Sequence, residues 1–180
     1  MHGRLFICIL LIVFGIFSYI PALAEEISLQ TVNAESLNWS DEENQAFSSM
    51  IHSFKSYESL LGDVYEYGDY HIAVHGESFQ EAMNYLDTGF EAELAASIIE
   101  AYMQQVPEIQ KMAVIPCDGI PTLSENDNEA VSCSHPDENT IIFQRSYEDC
   151  YNQGDSYLFT VTLHHSAQGW RIKALSLEEQ

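Results

Sequence analysis

The chain has 180 residues, with 28 Asp and Glu against six Lys and Arg, which gives a formal net charge of −22. Hydrophobic residues make up 46% and aromatic residues 12%, so the composition is too apolar for a disordered acidic tail. Nucleic acid and anionic membrane surfaces are disfavoured as partners, because binding to them requires clustered Lys and Arg.

The first 24 residues have the pattern of a secretory signal peptide. Residues 5–20 are almost wholly apolar, and Ala22-Leu23-Ala24 offers small side chains for cleavage. A membrane anchor is the alternative, but the apolar run is shorter than the ~20 residues that span a bilayer. We therefore expect a secreted, extracellular or cell-wall-associated product without membrane contact after cleavage, in which residues 25–39 form a polar leader and residues 40–180 a single domain.

Three capping-box patterns predict helix starts in the first part of this domain. The patterns are Ser40-x-x-Glu43, Ser78-x-x-Glu81 and Thr88-x-x-Glu91. Apolar residues at steps of three and four follow each pattern, as expected for one buried helix face. The predicted helices end near Gly62, Leu86 and Val106.

After the third helix the apolar period changes to two, which predicts strands. Strand-like segments cover residues 112–115, 140–145, 156–165 and 170–175, an earlier hairpin is predicted within residues 63–76, and residues 116–139 read as a long loop. The order of elements predicts an α+β fold in which N-terminal helices pack on one face of a curved antiparallel sheet of about four strands. This layout is similar to that of cystatin-like and NTF2-like domains.

The histidines give no clear catalytic or metal-binding pattern. His71, His75 and Glu77 share one face of a predicted strand, but residues four apart on a strand lie ~13 Å from each other, too far to bind one ion. The adjacent His164 and His165 face opposite sides of a strand. The sequence also lacks a phosphate loop, a dinucleotide fingerprint and an HExxH motif. We therefore expect a protein that is not an enzyme and needs neither cofactor nor metal.

Beyond the signal peptide, three cysteines are candidates for a disulfide. They are Cys117, Cys133 and Cys150. Three cysteines allow three different single bridges with one thiol left over, and an exported protein permits either one bridge or none. A zinc site is not expected, because no short Cys-x-x-Cys pair is present.

The predicted loop 116–139 carries the acidic residues that we expect to contact a partner. These are Asp118, Glu125, Asp127, Glu129, Asp137 and Glu138. The run 125–129 resembles a calcium ligand run, but it lacks the glycine and the closing glutamate of an EF-hand, so a solvated acidic loop is favoured. The cations Arg145, Arg171 and Lys173 are expected to pair with carboxylates.

Three short segments carry a resemblance to a known family. They are Tyr85-Leu86 with Phe90, Ile115-Pro116-Cys117-Asp118-Gly119, and Gly169-Trp170-Arg171-Ile172. With the order of elements, they resemble the IseA-type inhibitors of peptidoglycan DL-endopeptidases, which Gram-positive bacteria export. The resemblance implies a rigid domain that presents a loop to the cleft of a cell-wall cysteine peptidase.

The charge of the chain fits this implied partner. Cell-wall hydrolases often have basic surfaces, and a strongly acidic protein would be steered onto them. The alternative is a secreted NTF2-like or cystatin-like domain that binds a ligand without catalysis. That alternative requires a cavity of at least ~300 Å³ between helices and sheet. Tyrosines around the predicted strands could line a groove for peptide or glycan, but tyrosines at strand spacing are more often part of sheet packing.

Overall fold

A computed structural model describes residues 39–148 and 154–180. The predicted signal peptide, residues 25–38 of the predicted polar leader, and Cys150 lie outside the described residues. Among the described residues, no helix has both the length and the apolar character needed to cross a membrane.

In chain order the elements are α1 (Asp41–Gly62), β1 (Val64–Tyr67), β2 (Tyr70–Ala73), α2 (Phe79–Leu86), α3 (Ala92–Tyr102), β3 (Met103–Val106), β4 (Lys111–Val114), a 3-10 helix (Glu125–Ala130), β5 (Ser132–Asp137), β6 (Thr140–Glu148), β7 (Ser156–Ser166) and β8 (Gly169–Glu179).

The first two capping boxes are confirmed at the starts of α1 and α2. Ser40 N–H donates to Glu43 Oε2 at 2.6 Å, and Glu43 N–H donates back to Ser40 Oγ at 3.2 Å. Ser78 and Glu81 make the same reciprocal pair at 3.0 and 3.2 Å. Each box satisfies backbone N–H groups that the first helical turn leaves without partners.

The prediction of a third capping box at Thr88 is wrong. Thr88 Oγ1 donates to the Tyr85 carbonyl, and α3 begins only at Ala92, after an N-cap without a side-chain bond. The preceding backbone is bonded to β8 instead, because Glu91 N–H donates to the Ile172 carbonyl and Ile172 N–H donates to the Gly89 carbonyl, each at 2.9 Å.

The expected end of the third helix near Val106 is also wrong. The helix ends at Tyr102, and Met103–Val106 forms β3, which pairs with β4. Met103 and Val106 are both buried in this arrangement. Apolar spacing alone therefore could not distinguish one more helical turn from a short strand, and the pairing with β4 decided the outcome.

The predicted α+β class and antiparallel pairing are confirmed, but the prediction of a single sheet is wrong. The described residues form two four-stranded antiparallel sheets, which we call sheet A, with strand order β1-β2-β4-β3, and sheet B, with strand order β5-β6-β7-β8. Two strands were missed because β3 was predicted as helix and β5 as loop. The predicted hairpin at residues 63–76 is β1 and β2, and it belongs to sheet A.

The main core lies between α1 and the inner face of sheet B. Alternate residues of β6 and β7 point into it, among them Phe143 and Phe159, which are almost fully buried. Phe143 meets Phe47 of α1 at 5.4 Å between ring centroids, and Phe159 meets Phe54 at 6.3 Å. Burial of such rings is a large favourable term in folding and fixes the helix on the sheet.

Helix α1 closely approaches residues 89–91, whose backbone is hydrogen-bonded to β8 and which we call the strip beside β8. The buried Ser53 Oγ donates to the carbonyls of Ser49 at 2.8 Å and Gly89 at 3.1 Å. A Cβ atom at position 89 would lie 2.2 Å from Ser53 Oγ. Only glycine fits there, since a side chain would push the helix away from the strip.

Candidate functional site

Residues 116–139, which we call the acidic segment, run back along α1 from its C-terminal end toward its N-terminus. Ile120 N–H donates to Tyr57 Oη at 3.0 Å, and Thr122 Oγ1 donates to Glu58 Oε1 at 2.8 Å. Further along, Lys55 Nζ donates to Glu125 at 2.8 Å, and His135 Nε2 lies 3.0 Å from Glu43. Beyond Glu58 the contacts run toward the N-terminus of α1, so the helix acts as a rigid support for the segment.

The C-terminal end of α1 approaches the start of the acidic segment closely. A Cβ atom at Gly119 would lie 2.8 Å from Tyr57 Oη, so the helix and the segment meet at a position that only glycine fits without movement. Burial raises the pKa of the Tyr57 hydroxyl to about 12. The hydroxyl therefore stays neutral at physiological pH and remains an acceptor for the Ile120 amide.

The middle of the acidic segment forms the 3-10 helix, in which the Asp127 carboxylate accepts hydrogen bonds from Ser124 and Arg145. Ser124 N–H donates to Asp127 Oδ2 at 2.7 Å, and Arg145 on β6 donates to Asp127 Oδ1. Leu123 and Val131 are buried on either side of this helix. The run that resembled a calcium site thus forms a 3-10 helix in which Asp127 is a structural acceptor, which differs from the solvated loop that the sequence favoured.

The six predicted contact residues occupy different environments rather than one cluster. Glu125 and Asp127 pair with Lys55 and Arg145. Asp137 accepts Asn139 N–H at 2.8 Å, and this hydrogen bond lowers its pKa. The remaining three carboxylates are exposed: Asp118, Glu129 and Glu138.

Four of the five Lys and Arg residues that the structure describes hold carboxylates in ion pairs. These pairs are Lys55–Glu125, Lys111–Glu77, Arg145–Asp127 and Arg171–Asp87. The expectation of carboxylate partners is confirmed for Arg145 and Arg171 but not for Lys173, which has no ion pair with a described carboxylate. With 28 acids against six bases, these pairs offset only a small part of the negative charge, and most of the acidic surface remains uncompensated.

The structure does not bring His71, His75 and Glu77 together. The strand that carries His71 ends at Ala73, and His75 stacks on Tyr85 with 4.5 Å between ring centroids. Glu77 instead accepts hydrogen bonds from Tyr65 and Lys111. The predicted common strand face of these three residues is therefore wrong, and each side chain has its own surroundings.

The adjacent His164 and His165 also have different surroundings. His164 Nδ1 lies 2.9 Å from Glu91 Oε1, at the N-terminus of α3. The ring of His165 lies 4.8 Å from Trp170 on β8. His164 is half-buried and His165 is exposed.

Three side chains that the sequence analysis did not connect converge near the N-terminus of α1. One ligand atom from each of Glu43, Cys133 and His135 lies within 4.8 Å of the others. Cys133 has a free thiol, so no bridge joins it to Cys117. Two signals could have found the cluster: Cys133-x-His135 has the spacing of neighbours on one strand face, and Glu43 opens a helix. The assignment of residues 116–139 to a loop hid the first signal.

The surroundings of the cluster shift the pKa values of Glu43 and Cys133 in opposite directions. The Ser40 backbone N–H, and then His135, lower the pKa of Glu43 to about 2. Burial, and then the negative charge of Glu43, raises the pKa of the Cys133 thiol to about 12. Without a cation the thiol thus keeps its proton and is a poor nucleophile.

An open pocket lies beside the start of the acidic segment. Its volume is about 350 Å³, and it is lined by Gly119, Ile120, Pro121, Thr122, Tyr147, Tyr157 and Leu177. A second depression of about 450 Å³ also has Gly119 and Ile120 in its lining, together with Tyr57 of α1, Tyr102 of α3 and Val114 of β4. The first depression therefore lies against sheet B, and the second lies between the helices and a strand of sheet A.

No family model matches the sequence, and no curated protein matches it. Function is therefore inferred from the geometry and charge of the described residues.

Proposed function

We propose that the chain is an exported, acidic binding protein without catalytic activity, and that its acidic segment docks onto a basic extracellular protein. A cell-wall hydrolase is the partner class that fits best, and the resemblance to IseA-type inhibitors suggests the cleft of a peptidoglycan DL-endopeptidase. The observation that carries the proposal is that the acidic segment is exposed yet held to α1 and β6 by side-chain bonds along its length.

A segment that is fixed by side-chain bonds is better suited to binding than a flexible loop. Leu123 and Val131 anchor it in the core, and Gly119 sets its distance from α1. Because the backbone is already ordered, association does not have to order it again, and more of the contact energy appears as affinity. A plug that enters a cleft needs this rigidity.

The charge distribution supports a basic partner. Since the Lys and Arg side chains are largely engaged in internal pairs, an approaching protein meets mainly carboxylates, including Asp118, Glu129 and Glu138 on the segment. Attraction of opposite charges raises the association rate and is screened by salt beyond ~8 Å at physiological ionic strength.

The proposed lack of catalysis follows from the thiol and histidine environments. Glu43 lies beside both Cys133 and His135, and the raised pKa of Cys133 opposes thiolate formation. A cysteine nucleophile needs the opposite arrangement, with a histidine that accepts its proton.

Digestion of cell-wall peptidoglycan by a purified basic DL-endopeptidase tests the proposal. The full chain should slow digestion, and inhibition should weaken as salt rises. Neutralising the segment in the triple variant Asp118→Asn, Glu129→Gln, Glu138→Gln should weaken inhibition about tenfold at low salt, because three exposed contacts at about 0.5 kcal/mol each total about one factor of ten.

The matched control carries the same change in net charge elsewhere on the molecule. Glu66→Gln, Glu100→Gln and Glu108→Gln neutralise three exposed carboxylates of β1, α3 and the β3–β4 turn. This control should inhibit almost as well as the unchanged chain. Digestion that is unaffected by the full chain at every salt concentration would refute the proposal, and equal losses in both triple variants would refute the role of the segment.

A second candidate function, ligand binding without catalysis, is favoured by the pocket beside Tyr147 and Tyr157. Its volume of about 350 Å³ and its mixed lining of aromatic, aliphatic and hydroxyl side chains are within the range of small-molecule sites. An apolar fluorescent dye should then bind saturably, and Leu177→Glu should weaken its binding. Linear, unsaturable dye uptake would exclude this candidate.

A further inference from the structure

We propose that Glu43, Cys133 and His135 form a binding site for a divalent transition-metal ion of the zinc class. The site lies between the N-terminal turn of α1 and β5, and it does not depend on the proposed docking function. One carboxylate oxygen, one sulfur and one imidazole nitrogen would supply three ligands, and solvent the fourth.

The distances suit one small ion after a slight adjustment. The three ligand atoms already lie within 4.8 Å of one another. Bond lengths of about 2.0–2.3 Å in a tetrahedral zinc site place ligand atoms about 3.4–3.6 Å apart. Side-chain movements of about 1 Å would therefore bring all three donors onto the ion.

Rigid elements hold each donor. Glu43 Oε2 accepts the Ser40 N–H in the capping box, which leaves Oε1 directed toward His135. Cys133 is opposite Phe143 in the β5–β6 register, so its backbone is fixed by the sheet. His135 lies two positions along the same strand, where the β5–β6 register shifts between Ser134 and Asp137, and its Nε2 lies 3.0 Å from Glu43 Oε1.

The donor set selects the class of ion. Sulfur and imidazole nitrogen favour Zn²⁺ and related transition metals, whereas Ca²⁺ and Mg²⁺ prefer oxygen ligands. The other ion-paired histidines in the described residues have a carboxylate but no such sulfur: His75 with Asp63, and His164 with Glu91.

The site is accessible to an ion and to a water ligand. The His135 side chain is 41% exposed and that of Glu43 is 19% exposed. When the metal binds, the Cys133 S–H bond breaks, its proton passes to solvent, and the sulfur–metal bond forms. No electron is transferred in this step.

Titration of the reduced full chain with Co²⁺ and Zn²⁺, in a buffer with a phosphine reductant, tests the site. Co²⁺ should bind with a thiolate charge-transfer absorption that saturates at one ion per chain, and Zn²⁺ should displace it. The thiolate band distinguishes this site from weak binding to the many surface carboxylates, which have no sulfur.

Single variants assign the ligands. Cys133→Ser should abolish the thiolate band, and Glu43→Gln and His135→Asn should each weaken Zn²⁺ binding at least about tenfold, since loss of even an outer-shell partner has that effect. Glu43→Gln keeps the capping box, because glutamine also serves at that position, so it separates metal binding from folding.

Two controls complete the test. Cys117→Ser should keep the thiolate band, because Cys117 is not part of the cluster, and His164→Asn should leave Zn²⁺ affinity unchanged. Absence of a saturating thiolate band in the unchanged chain would overturn the proposal, as would a band that persists in Cys133→Ser. Neither result would affect the digestion assay, so the two proposals fail separately.

Discussion

The two sheets are stabilised in different ways, although both have four antiparallel strands. Sheet B has strands of up to 11 residues, and its inner face is covered by α1. Sheet A has strands of four residues, and beyond its contribution to the main core it has only the small buried cluster Ile72, Val106 and Ala113.

A polar connection links β1 and β4 of sheet A to Glu77. Lys111 on β4 donates to Tyr65 Oη of β1 at 2.6 Å and to Glu77, and Tyr65 donates to Glu77 Oε1 at 2.7 Å. Partly exposed ion pairs contribute little free energy, whereas buried aromatic rings contribute several kcal/mol. The candidate sites lie against α1 and sheet B, where packing gives the most rigid support.

Phe143→Ala in sheet B should have the largest effect. The ring is fully buried against Phe47 and Trp39, and its removal leaves a cavity, so we expect unfolding free energy to fall by about 3–5 kcal/mol. Denaturant titration measures this loss. The control Phe79→Ala removes a ring that is 41% exposed at the start of α2 and should cost much less. Equal losses would contradict the assignment of the main core.

Gly89→Ala should have an intermediate effect at the edge of sheet B. The added methyl group would collide with Ser53, and overpacking of this kind costs about 1–3 kcal/mol. The control Gly62→Ala adds the same group at a position with no atom within 4 Å and should change stability by less than about 0.5 kcal/mol. A neutral Gly89→Ala variant would show that α1 and the strip beside β8 are not in close contact.

Glu77→Gln should lower the stability of the fold least of these three substitutions, and only near neutral pH. The hydrogen bond from Lys111, followed by that from Tyr65, lowers the pKa of Glu77 in the folded chain. The charged form therefore favours folding above the unfolded pKa of about 4.3, and this contribution is lost as pH falls through the folded value. The difference in denaturation midpoint between the two proteins should be largest near pH 7 and disappear in acid.

Exposed Glu66 of β1 provides the comparison for this titration. Glu66→Gln removes the same charge from an exposed position on β1, whereas Glu77, between β2 and α2, is the carboxylate that Lys111 and Tyr65 contact. Its midpoint should follow that of the unchanged chain more closely between pH 3 and 7. A Glu77→Gln difference that persists in acid would mean that the connection acts through packing rather than charge.

Elements with strong local signals were predictable from sequence. Ser40-x-x-Glu43 and the apolar face that follows gave α1, and alternation at Phe159, Val161 and Leu163 gave β7. Thr88-x-x-Glu91 failed because β8 takes the backbone bonds that a helix start would need. A local pattern is reliable only where no distant strand competes for the same groups.

The candidate sites were less predictable than the fold. The acidic residues of segment 116–139 were visible, but their division into structural acceptors and exposed carboxylates depends on Lys55 and Arg145, which come from other elements. The Glu43–Cys133–His135 cluster joins Glu43 to two residues of β5 that lie 90 and 92 positions further along the chain. No spacing rule covers such a distance.

The sequence by itself determined the α+β class, the antiparallel strands and the excess of acidic charge, because these depend on local periodicity and on composition. Tertiary structure alone decided the division into two sheets, the support of the acidic segment by α1, and the meeting of one carboxylate, one thiol and one imidazole. These features require long-range contacts, whose energies depend on which surfaces meet and not on the order of neighbouring residues.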